Sequence, residues 1–108
     1  INVIGRSSNV TISGNKIAGN NNGISLAIST SNLVTANDIS ENHFGIACVA
    51  SEGNTIEENA IHSNDASGIY CISSRHNTIT KNTGSAMLWS ELLPDVVMVS
   101  RYVVSTHW

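Results

Sequence analysis

A unit of about 22 residues recurs along this chain, and that repeat limits its possible folds more than any other feature. Ile12, Val34, Ile56 and Ile79 each stand three places before Asn15, Asn37, Asn59 and Asn82, at successive spacings of 22, 22 and 23. Ile17, Ile39 and Ile61 follow, then Asn20, Asn42 and Asn64. Next come the dipeptides Gly23-Ile24, Gly45-Ile46 and Gly68-Ile69, each followed two residues later by Leu26, Cys48 or Cys71. Ile1, Val3 and Asn9 fit the tail of an earlier copy. The unit condenses to N-x-I-x-x-N-x-I-x-x-N-x-x-G-I-x-[LC] and a short polar turn.

Apolar residues within a unit are too sparse for an amphipathic helix. They fall singly or in alternation between Asn and Gly, which reads as strands of three to five residues separated by turns. Three such strands make one triangular rung of a parallel β-helix. Of the 108 residues fourteen are Asn, and none lies beyond Asn82. Asn suits corners because it tolerates left-handed backbone and bonds neighbouring peptide groups. Stacked rungs set like residues about 4.8 Å apart, so Asn forms ladders and Ile forms a column that no single rung can bury.

These units resemble the parallel β-helix repeats of the pectin-lyase-like superfamily, and most nearly the NosD-like proteins, over residues 1–84. The resemblance implies a right-handed helix, in keeping with the hand of parallel crossovers. It also implies a secreted, periplasmic or cell-surface location. The superfamily includes polysaccharide lyases, hydrolases, epimerases and non-catalytic surface modules, so fold alone does not select an activity. Because Ile1 already lies inside the repeat, the chain reads as a monomeric segment of a longer solenoid.

After Asn82 the register fails: Gly84 stands where Ile is due and Met87 where the third Asn is due. Residues 85–108 read as a separate C-terminal segment, either a cap over the open end or a non-native tail. Ala86 to Leu93 has the composition of two helical turns stopped by Pro94, and Val96 to Ser105 that of a strand.

Reading down the columns gives candidate neighbours. Lys16, Asp38, Ala60 and Thr83 share one; Arg6, Ser29, Ser51 and Ser74 another; Ser7, Thr30, Glu52 and Arg75 a third. Lys16–Asp38, Glu52–Arg75 and Glu58–Lys81 are therefore expected surface ion pairs, each contributing at most about 1 kcal/mol. His43 and Asp65 share a column and His62 follows the core residue Ile61, so His43, His62 and Asp65 form a candidate metal set, weighed against plain solvated surface. Phe44 at a corner and Tyr70 facing outward are the only rung aromatics and lie on different columns. With Asp38 and Glu41 they are the candidate ligand-binding residues, weighed against surface decoration. Cys48 and Cys71 fill the inward column occupied by Leu26 and Val3, and are expected to be buried free thiols.

The net charge of −3 with 12% charged residues leaves no basic footprint for nucleic acid. No apolar run reaches the roughly 18 residues of a membrane helix. A lyase of this superfamily needs clustered acids for calcium and a basic residue over the sugar, and no column stacks acids. The expected function is thus a structural or carbohydrate-binding scaffold with no catalytic site in this segment and no required cofactor. The alternatives are a fragment of a carbohydrate-active enzyme and NosD-like copper binding.

Overall fold

The computed structural model describes residues 1–84 together with the backbone of 88–90 and 96–99. The described residues form β1 (Asn2–Val3), β2 (Thr11–Ser13), β3 (Lys16–Ala18), β4 (Asn22–Ala27), β5 (Leu33–Thr35), β6 (Asp38–Ser40) and β7 (Phe44–Val49). They continue through β8 (Thr55–Glu57), β9 (Ala60–His62), β10 (Ser67–Ile72), β11 (Asn77–Thr80), β12 (Leu88–Ser90) and β13 (Val96–Val99). Among the described residues no helix is long and apolar enough to cross a membrane.

Every strand pairs in parallel with the strand one rung away, which makes the fold a parallel β-helix. The long-strand sheet runs β1-β4-β7-β10-β12, the second β2-β5-β8-β11-β13 and the third β3-β6-β9. Ile17, Ile39 and Ile61 stand in register, as do Ile24 with Ile46 and Leu26 with Cys48. From Ile24 onward the inward Ile, Val and Leu side chains of the inner rungs are wholly enclosed. Each rung alone offers only a few apolar side chains. Stacking them yields one continuous core, and that core selects the fold.

Polar side chains also enter the interior, and each is satisfied. Asn37 Nδ2 donates to Asn59 Oδ1 at 3.0 Å, Asn59 Nδ2 donates to Asn82 Oδ1 at 3.0 Å, and each amide also reaches a backbone carbonyl of the rung below. Two further Asn columns behave alike, Asn32–Asn54–Asn77 and Asn20–Asn42–Asn64. A serine column runs beside them: Ser29 N–H donates to Ser51 Oγ at 3.1 Å, and Ser51 N–H to Ser74 Oγ at 3.2 Å. No buried side-chain nitrogen or oxygen among the described residues lacks a partner.

The first partial rung departs from the expected alignment. Val3 lies opposite Leu26, but Ser8 rather than Ser7 lies opposite Thr30. One extra residue between Val3 and Ser8, a stretch that holds Gly5 and Arg6 at φ 70 and 68, shifts the register. Val10, not Asn9, consequently occupies the ladder position, its N–H donating to Asn32 Oδ1 at 2.9 Å.

Beyond Asn82 the rung shortens. Leu88 pairs with Ile69 and Val96 with Asn77, a spacing of 19 in place of 23. Leu88–Ser90 is therefore a strand of the long sheet, not part of the helical turns expected over Ala86 to Leu93. Parallel pairing to β10 outweighs the local helical composition. Val96–Val99 is a strand, as expected. The rest of 85–108, including most of the segment read as cap or tail, lies outside the described residues.

Candidate functional site

The three lateral faces differ in chemistry. The second sheet presents mainly hydroxyls outward: Thr11, Thr35, Thr55, Thr78 and Thr80. The third presents Lys16, Asp38 and His62 among small residues. On the long-strand sheet the outward positions carry Ala27, Val49 and Ile72, with Ile4 59% and Val49 38% exposed. Apolar residues in open positions distinguish this face from the other two.

Two aromatic rings crown it. Phe44 and Tyr70 come from different columns, since Tyr70 aligns with Ala47, yet their centroids lie 4.6 Å apart at an interplanar angle of 32°. His43 packs edge-on against Phe44, also at 4.6 Å. Ala47 faces outward by alternation but is only 4% exposed, covered by its neighbours on this face. The sequence separates these rings; the structure unites them into one patch, and a bulge lies beside it. Ala66 N–H (2.8 Å) and Ser67 N–H (3.5 Å) both donate to His43 O, so two residues of one rung oppose Phe44 alone. Such an insertion bends a strand and re-aims its side chains. It is the physical origin of the 23-residue spacing between the second and third units.

The other candidates separate into two places. Glu41 stands exposed at a left-handed corner (φ 56) just before the patch, with Asp65 exposed in the column of His43. Asp38 lies on β6, where its Oδ1 meets His62 Nε2 at 2.9 Å. That is the one direct contact between an acidic and a basic side chain among the described residues. Lys16 and Asp38 are in register as expected, and Glu52 and Arg75 are bridged through the backbone, but neither pairing closes as an ion pair. The sequence columns missed His62–Asp38 because it runs diagonally: His62 aligns with Ser40, two residues from Asp38.

Cys48 and Cys71 are buried free thiols stacked in the core. The hydrogen bond with Cys71, and then burial, hold the Cys48 thiol well above the usual thiol range, so it is protonated and inert at neutral pH.

A second feature borders the same face where the long strands end. Arg6, Ile28, Thr30, Ala50, Ser51, Glu52, Ser73 and Arg75 line an open groove of ≈ 580 Å³. Ile28, Ala50 and Ser73 each adopt φ 50, turning the chain outward, while the small serine column forms the floor.

A parallel β-helix with one apolar, aromatic-bearing side belongs to the class of solenoid proteins that present a lateral surface. The model of the family described as "Periplasmic copper-binding protein (NosD)" matches residues 1–84, and the chain belongs to this NosD family. A solved structure, that of a mutant of the periplasmic alginate epimerase AlgG, matches with TM-score 0.67 and 20% identity over 94% of this chain and 30% of that one. That likeness concerns the fold, and the chain spans under a third of the neighbour's length. No curated protein sequence matches the chain significantly.

The family's description names copper, which asks for three or four gathered N, O or S ligands. Among the described residues no three His, Cys, Asp or Glu side chains converge. His62 is held by Asp38 on β6, away from the corner shared by His43 and Asp65, and the two thiols are enclosed in the core. The described residues do not fit such a site, and no chemistry is derived through the metal.

Proposed function

We propose that this chain is a carbohydrate-binding segment of a periplasmic or extracellular β-helix protein, and that the outer face of the long-strand sheet takes an extended sugar chain. The observation that carries this reading is the Phe44–Tyr70 ring pair, 4.6 Å between centroids and partly exposed on the face that carries Ala27, Val49 and Ile72. Sugar rings present C–H faces that pack on aromatic surfaces, and hydroxyls that need polar partners at the edge. Glu41, His43 and Asp65 occupy the corner beside the rings and supply those partners. Asp38, engaged by His62 on another sheet, stands outside this surface. The periplasmic setting in the family's description and in that of the epimerase neighbour agrees with a surface ligand of this kind.

A glycan array probed with the full chain tests the reading, followed by titration of the best oligosaccharide. Phe44→Ala and Tyr70→Ala should each weaken binding about tenfold, the loss of about 1.4 kcal/mol of ring contact. Unchanged affinity in both variants, or no glycan bound by the parent, would overturn it.

A further inference from the structure

The groove at the far end of the same face carries a charge pattern that the ring pair does not explain. Arg6 and Arg75 are two of only five Lys and Arg residues in a chain of net charge −3, and both line this one groove. Glu52 is its single acid, so the lining is net positive in a net negative molecule. Both arginines are exposed, and neither guanidinium closes an ion pair among the described residues, although Glu52 stands directly opposite Arg75 in the ladder. Arg6 belongs to the first rung and Arg75 to the fourth. Their backbones are therefore three strand spacings, roughly 14 Å, apart along the solenoid axis. Between them lie the exposed hydroxyl of Thr30 and the apolar side chain of Ile28, which is 57% exposed, and the exposed hydroxyl of Ser73 stands on the rung of Arg75.

A groove of this length, with cations at its ends and hydroxyls and an apolar strip along it, matches an elongated ligand bearing repeated anionic groups. Guanidinium forks bind carboxylates bidentately, and charge-assisted hydrogen bonds of this kind are about twice as strong as neutral ones. We infer that the groove binds the carboxylates of an acidic oligosaccharide lying parallel to the solenoid axis, with Arg6 and Arg75 engaging separate sugar units. This rests on the proposed carbohydrate function and adds the charge of the chain and the residues that select it. Glu52 acts within the groove as a repulsive element against misplaced carboxylates.

The test titrates the full chain with a uronate oligosaccharide and with the same oligosaccharide after carboxyl reduction, at low and at high salt. The inference expects the acidic form to bind at least tenfold more tightly, with that preference shrinking as salt rises. Arg6→Gln and Arg75→Gln should each remove most of the preference, weakening the acidic form far more than the neutral one. Glu52→Gln should raise affinity for the acidic form severalfold. All three side chains are exposed, and thermal melts matching the parent establish that each variant folds. Equal binding of acidic and neutral forms by the parent, or a preference untouched in both arginine variants, overturns the inference while leaving the carbohydrate reading standing. Binding of neither form overturns both.

Discussion

Asn59 shows how one residue type holds this molecule together. Its Oδ1 accepts from both the N–H and the Nδ2 of Asn37 at 3.0 Å. Its Nδ2 donates to Val34 O, Glu57 O and Asn82 Oδ1. Asn59→Ala strands several of these partners in the buried interior, where each orphaned group costs about 1–3 kcal/mol. Loss of about 3 kcal/mol is the expected outcome, measured as the shift in urea unfolding of the full chain. Among the described residues Asn15, exposed in the same column, donates to Asn37 and Ser13, and its Oδ1 accepts from no described side chain. Asn15→Ala should therefore cost under about 1 kcal/mol. Equal losses for the two variants would show that stacking adds nothing to the ladder.

At the scale of the strand, the Gly-Ile dipeptides acquire a steric reason. A Cβ on Gly45 would stand 2.5 Å from Gly68 O, and one on Gly23 2.6 Å from Gly45 O. The corner is thus closed to any side chain by the rung above it. Gly45→Ala forces β7 and β10 apart at their start and should cost about 2 kcal/mol or more in the same unfolding measurement. A loss below about 0.5 kcal/mol would contradict so close an approach. Strand positions, inward columns and Asn ladders were legible in the spacing, because a solenoid repeats each contact wherever it repeats a residue. Features arising where the period changes were not legible. The bulge at Ala66–Ser67 shows in sequence only as 23 in place of 22, and periodicity cannot say which residue is extra or that the rings of Phe44 and Tyr70 meet across columns. The extra residue between Val3 and Ser8 is hidden in the same way. The strand at Leu88–Ser90 was hidden because its rung is four residues shorter and lacks the Asn signature.

For the whole molecule, function follows from asymmetry laid over a symmetric frame. The ladders and the Ile column are alike on every rung, so they specify the fold and nothing about a ligand. The differences among faces carry the functional information: hydroxyls on one side, mixed charge on another, and apolar residues with a ring pair and an arginine-ended groove on the third. That reading requires side chains 22 or 23 residues apart to lie over one another, with the rings of Phe44 and Tyr70 in contact across columns. The most direct test is a nuclear Overhauser spectrum of the full chain carrying labelled isoleucine methyls and aromatic rings. Cross-peaks should link Ile17 to Ile39 and Ile39 to Ile61, with none between Ile17 and Ile61, and Phe44 should contact Tyr70. A direct Ile17–Ile61 contact, or rings of Phe44 and Tyr70 that show no mutual cross-peak, would contradict the stacking on which the proposed surface depends.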